Sequence, residues 1–297
     1  MWASNCNCGG RRSEMAPFAS IDDPRQLLRS VGLPMTENIP RTLVGLGEIL
    51  WDILPSGKQL GGAPANFAYI SRLLGDHSVI ASRVGEDALG REALERLNGL
   101  TIETAYIQRD PANPTGTASV SLSKGRDAEF APKENVAWDH LEWTKDWQHL
   151  AARADAVCYG TLAQRSLQSR ETIQRFLKHT RPEAVRIFDI NLRGSAFTRE
   201  LLAESIQAAR ILKLNSEESS RISDILALDK RTEESIARHL IQIYGLEMVA
   251  ITRGKYGSLI VTWDDAVEHP GFDVGEAADT IGAGDAFAAT LVSLSST

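Results

Sequence analysis

Asp285 directly follows Gly282, Ala283 and Gly284, and the run behind it, "AFAATLVSL" (286–294), is small and apolar. A run of this type reads as the opening of a helix with one apolar face. Helix N-termini carry N–H groups without intrahelical partners and a partial positive charge. Glycines let an anion come close to that backbone. An acid beside such a cradle is not itself the anion that binds; it is placed to act as a base next to a bound phosphate. An anion cradle coupled to a base suits phosphoryl transfer to a hydroxyl.

Three further stretches carry polar groups that fit this chemistry, and each also has a purely structural reading. In "QLGGAPANFAYISRLLG" (59–75), Gly61, Gly62 and Ala63 make a turn without bulky side chains, and Pro64 suits a first helical turn. This is a capped helix start, or a backbone surface open to a polyol whose hydroxyls Asn66 and the preceding Asp52 could bond. In "KLNSEES" (213–219), Asn215 and Glu218 read as a helix cap with a first-turn acid, or as a pair that orders Mg²⁺ through water. In "TRGKYGS" (252–258), Thr252, Gly254 and Gly257 fit a strand–turn–strand. Other chemistries find little support. Gly45-x-Gly47 has Leu50 where a third dinucleotide-fingerprint glycine would stand. Gly57-Lys58 is followed by Gln59 and is no phosphate-binding P-loop, and no histidine pair has metal-hydrolase spacing.

The elements that must position these residues alternate along the chain. Strands are predicted over 42–55, 78–85, 156–162, 185–192, 211–215, 247–254 and 257–263. Helices are predicted over 65–75, 87–100, 169–180, 199–209, 216–226 and 231–244. Such alternation implies an α/β fold with a doubly wound, mostly parallel sheet flanked by helices. Ligands bind beyond the carboxyl ends of strands in sheets of this kind, and each polar stretch above falls at such an end. The Thr-, Ser- and Gly-rich segment 101–131 reads instead as short antiparallel strands forming a small β lid.

The chain has 297 residues, 24% of them charged, and a net charge of −7. A mildly acidic chain without a basic run argues against nucleic acid as a partner. No apolar stretch has the length of a membrane helix. The three cysteines, Cys6, Cys8 and Cys158, fit reduced thiols in a cytoplasmic protein. Residues 1–40 read as a disordered N-terminal extension, with a short helix near "PRQLLRSVG", ahead of one domain over 41–297.

Taken together, "GGAPAN", "VGEDALG" (84–90), "FDINLR" (188–193), "KLNSEES", "TRGKYGS" and "DTIGAGDAF" (279–287) make the chain resemble a sugar kinase of the PfkB (ribokinase) family, over roughly residues 42 to 290. The resemblance implies a ribokinase-like fold and ATP-dependent phosphorylation of a sugar hydroxyl, with Asp285 as base and Gly282, Ala283 and Gly284 as anion hole. It implies that Asp52, Gly61, Gly62 and Asn66 hold the sugar. It assigns Asn215 and Glu218 to phosphate and Mg²⁺, and Thr252, Gly254 and Gly257 to the nucleotide. A monovalent cation such as K⁺ is expected beside Asp279 and Thr280. "GAPANFA" and "DINLR", with Arg193, look most like the fructokinase branch; ribose, a 2-keto-3-deoxy sugar acid and a nucleoside are the other acceptors of the family. Lids in this family often pair, which implies a homodimer. Family members continue beyond "AFAATLVSLSST" with a helix that encloses the adenine, so a shortened C-terminus and a weakened nucleotide site are also expected.

Overall fold

The computed structural model describes residues 41–55, 57–121, 129–194, 197–229, 231–272 and 282–294. The extension expected over 1–40, with its short helix, lies outside them. In chain order the strands are β1 (Thr42–Leu46), β2 (Leu50–Leu54), β3 (Gly57–Gly61), β4 (His77–Gly85), β5 (Ile107–Asp110), β6 (Gly116–Ser121), β7 (Glu129–Pro132), β8 (Ala156–Tyr159), β9 (Val185–Asp189), β10 (Ile211–Asn215), β11 (Met248–Thr252), β12 (Ser258–Thr262) and β13 (Ala266–His269). The helices are α1 (Ala63–Leu73), α2 (Ala88–Gly99), α3 (Lys145–Arg153), α4 (Leu167–Lys178), α5 (Arg199–Ala208), α6 (Ser216–Leu226), α7 (Glu233–Tyr244) and α8 (Ala283–Leu294).

Nine strands form one sheet in the order β13-β12-β11-β10-β9-β8-β1-β4-β5. From β5 to β11 every neighbour is parallel, and β12 and β13 add antiparallel to the end. Parallel strands covered by helices on both faces read as continuous apolar runs, and β8, "AVCY", is buried throughout. Alternation sends successive side chains to opposite faces. Val157, Tyr159, Phe188 and Leu212 join a core with Trp147, Phe176, Ile206 and Leu240 from α3, α4, α5 and α7. Ala156, Cys158, Ile187 and Ile211 join a second core with Phe67 of α1 and Ala288, Ala289 and Val292 of α8. Most helices start on a side-chain cap: Asp87, Thr144, Ser166, Thr198, Asn215 and Thr232 each accept an N–H from the first turn.

A second sheet of four strands runs β3-β2-β6-β7. It corrects two expectations. The run 42–55 is not one strand: it breaks at Gly47, whose φ of 145° bends the chain out of the large sheet, and β2 then pairs with β3 and β6. The segment 101–131 is not all one sheet either. Ile107–Asp110 pairs with β4 at the edge of the large sheet, where Asp110 is buried against Arg83 (2.9 Å). The small sheet thus takes half its strands from 50–61, upstream of the segment expected to form it. The other predicted helices and strands lie where the periodicity places them, within a few residues, and α3 and β13 have no counterpart among the predicted elements. Among the described residues, no helix is long and apolar enough to cross a membrane.

Candidate active site

α8 brings Asp285 into the site from the far end of the chain. Its small residues let it pack closely on α1, and at its C-terminal end the Arg41 guanidinium donates to the carbonyls of Val292 (2.9 Å) and Ser293 (2.7 Å). This docking sets the first turn of α8 against the first turns of α1. There Asn66 Nδ2 donates to Asp285 Oδ2 at 2.8 Å, across 219 residues of sequence. Burial of the Asp285 carboxyl raises its pKa, and the Asn66 hydrogen bond and the charges of Lys213 and Arg193 work against that rise. Gly282 has φ of 80°, in the region open to glycine, and Gly284 has no room for a side chain: a Cβ there would stand 2.6 Å from Lys213 Nζ. The first turn of α8 thus lies close over Lys213, with the Asp285 carboxylate turned toward Asn66.

The expected acceptor residues surround the same helix start. Asp52, on β2, presses Oδ2 against Gly61, where a Cβ would stand only 2.4 Å away, and its Oδ1 is buried without a hydrogen-bond partner. Burial pushes the Asp52 pKa up to about 6, opposed by the charge of Arg193. Gly62 caps α1 with φ of 110° and no side-chain bond, and a Cβ on it would stand 2.5 Å from the carbonyl oxygen of Glu48. Arg193 follows β9, and its charge reaches Asp52, Asp189 and Asp285. Asp52, Gly61, Gly62, Asn66, Arg193 and Asp285 thus share one region beyond the carboxyl ends of β1 and β9.

Asn215 and Thr252 end the adjacent strands β10 and β11 and are register partners. Asn215 and Glu218 form a reciprocal capping box: Asn215 Oδ1 accepts from Glu218 N, and Glu218 Oε2 from Asn215 N, both at 2.8 Å. Glu218 Oε1 also accepts from Leu192 N at 2.9 Å, so each oxygen holds one backbone N–H. Each keeps one lone pair. Direct metal ligation would compete with the cap, whereas an Mg²⁺ held through water, the mode this hydrated ion prefers, leaves the cap intact. Among the described residues no cluster of three or more His, Cys, Asp or Glu side chains could hold a metal by itself. Gly254 (φ 57°) opens a short turn beyond β11 and faces open space. Gly257 is required by the fold: a Cβ on it would stand 1.8 Å from the His269 carbonyl oxygen of β13. Asp279, with Thr280, lies outside the described residues.

Three charged residues of the site went unread in the sequence. Glu48 sits just past β1, buried, with Oε1 accepting from Ala63 N (3.3 Å) and Oε2 without a partner. Burial pushes its pKa up to about 7, its own and Ala63's backbone N–H groups hold it down, Asp285 adds to the rise and Arg165 opposes it. Lys213 and Asp189 form a buried ion pair from neighbouring strands, with Nζ bonded to both carboxylate oxygens at 3.1 and 3.0 Å. A lysine inside the apolar strand "ILKLN" was the one local signal, since lysines are seldom buried unpaired.

Residues 56–295 match the sequence profile of the pfkB family carbohydrate kinases. The chain belongs to that family. A fructokinase of Escherichia coli is 30% identical over 85% of this chain and 84% of its own length. An ATP-dependent 6-phosphofructokinase of Thermoanaerobacterium thermosaccharolyticum is 27% identical over 77% of this chain and 70% of its own. Among solved structures, the uncharacterized sugar kinase PH1459 from Pyrococcus horikoshii in complex with ATP superposes with a TM-score of 0.71 at 28% identity, covering 84% of this chain and 83% of that one. The matched residues take in every described element from β3 to α8, and β1 and β2 precede them.

Proposed function

We propose that this chain transfers the γ-phosphoryl group of ATP to a hydroxyl of a fructose-like sugar. The observation that carries the reading is the 2.8 Å bond between Asn66 and Asp285. It joins the start of α1, where an acceptor would be held, to a carboxylate standing beside an exposed helix N-terminus. Asp52 and Asn66 bond acceptor hydroxyls, and the charge of Arg193 keeps Asp52 ionised enough to accept them. Asp285 takes the hydroxyl proton as that oxygen bonds to the γ-phosphorus and the bond to the ADP oxygen breaks. The N–H groups of Gly282, Ala283 and Gly284 receive the negative charge on the transferring group. Asn215, Thr252 and Gly254 lie along the nucleotide. Mg²⁺, held through water at Glu218, would neutralise phosphate charge. The similarity to a fructokinase supports the acceptor class, and the similarity to a sugar kinase seen with ATP supports the donor.

ADP release in a coupled assay, run over a panel of free and phosphorylated sugars with ATP and Mg²⁺, tests the reading. Fructose-dependent ADP formation that disappears in Asp285→Asn is the expected result. No sugar-dependent ADP formation with any member of the panel overturns it.

A further inference from the structure

Lys213 and Asp189 are the buried ionic pair that the proposed chemistry leaves unused. They lie on adjacent strands, β10 and β9, with 6% and 2% of their surface exposed. Both hydrogen bonds of the Lys213 ammonium go to Asp189, at 3.1 and 3.0 Å. Removing two charges from water is expensive, and such a pair often adds little or nothing to stability over apolar residues of similar volume. Its location is more informative than its presence. The ammonium end of the pair faces α8: a Cβ on Gly284 would stand 2.6 Å from Nζ, so the backbone of the first turn rests directly on it. A residue with a side chain at 284 would therefore meet the lysine beneath it.

We propose that Lys213, seated on Asp189, is a positioning residue that places a positive charge under the Gly282–Gly284 cradle and against Asp285. This rests on the reading of Asp285 as the base. The ammonium adds a whole charge to the partial charge of the helix N-terminus, in a water-poor setting where charge acts strongly. It also favours the ionised form of Asp285, which a base must be in before it takes a proton. The charged and titratable groups facing Asp285 come from every surrounding element. Arg193 after β9 and Lys213 on β10 favour its ionised form, and Asn66 of α1 bonds it. Asp189 on β9, Cys158 on β8 and Glu48 after β1 couple to it with the opposite sign. Desolvation opposes the charge of Lys213 itself, and the charge and hydrogen bonds of Asp189 outweigh that opposition, so Lys213 stays protonated across the working pH range.

Lys213→Met removes the favourable charge. Titration of the Asp285 carboxyl, followed by carbon-13 NMR, is expected to move to higher pH in Lys213→Met. The acidic limb of kcat/KM should follow, and kcat of Lys213→Met should fall about 10–100-fold with sugar KM within about twofold. The double variant Lys213→Met/Asp189→Asn removes both charges of the pair together, so it avoids the uncompensated buried carboxylate that could keep Lys213→Met alone from folding. It too should stay slow. Recovery of wild-type kcat by the double variant, or an Asp285 titration that does not move in Lys213→Met, overturns the proposal. The NMR titration needs no turnover, so a chain that phosphorylates no sugar defeats the kinase reading without deciding this one.

Discussion

A base that works by taking a proton has to be ionised beforehand, and Asp285 is held between opposing influences. Burial drives its pKa up, while Asn66, Lys213 and Arg193 hold it down. The net rise moves the acidic limb of kcat/KM upward from that of an ordinary aspartate, with activity falling as pH drops through that limb; a pH–rate profile checks this. Asp285→Asn keeps the shape and a partner for Asn66 but accepts no proton, so kcat should fall by about 10²–10⁴-fold with sugar affinity little changed by calorimetry. On the proposed role of Asp52, Asp52→Ala costs about 1–3 kcal/mol of acceptor binding. The sugar KM should rise by about 5- to 160-fold and the ATP KM should not; the opposite split would mean the two subsites are reversed. Asp285 and its glycines were legible in the sequence because a cradle and its acid are neighbours in the chain. Glu48, Asp189 and Lys213 were not, because what makes them chemical is burial beside residues from other strands. The alternative reading of Asn215 and Glu218 as a helix cap is what the geometry displays, so the local pattern alone could not separate cap from ligand.

The small sheet is the element most exposed to change when an acceptor binds. Two of its strands, β2 and β3, lead straight from Asp52 to Gly61, and β6 lies alongside β2. It is fastened to the large domain through Trp51, which is fully buried, donates Nε1–H to the Leu89 carbonyl at 3.1 Å, and lies under Lys58 and Arg96. Closure over a sugar would exclude water and suppress ATP hydrolysis. Amide exchange in β2, β3 and β6 should therefore slow when sugar is added. Slowing confined to the large sheet would show that the small one does not act as a lid. The alternation of strands and helices was readable because burial on both faces writes long apolar runs. The make-up of the small sheet was not, because only Gly47, Glu48 and Ile49 stand between β1 and β2, too short an interruption to show in sequence that the chain turns there into another sheet.

At the scale of the whole molecule, the site is a cluster of acids kept out of water, and its charge weighs on folding. Burial raises the folded pKa of Glu48 to about 7, above the ordinary glutamate value near 4.5. Below the lower of these values it is protonated in both folded and unfolded states, and it adds no penalty. Between them the unfolded chain releases its proton first, so stability falls as pH rises through this window, by about 3 kcal/mol in all. Glu48→Gln should be more stable than the parent at pH 8 and equal to it near pH 4, as measured by urea unfolding. A difference independent of pH would mean that Glu48 acts through packing and not through its charge. The Asn66–Asp285 bond has a consequence in time as well as in chemistry. One partner lies in the first helix described and the other in the last, so no part of the chain can display the site before both ends have met. Contacts so distant in sequence form late, whereas Trp51, Trp138 and Trp147, all fully buried, report on the folding of the first half. During refolding, tryptophan fluorescence should thus reach its native value before sugar phosphorylation returns. The chain passes through an interval in which it looks folded and is not yet an enzyme.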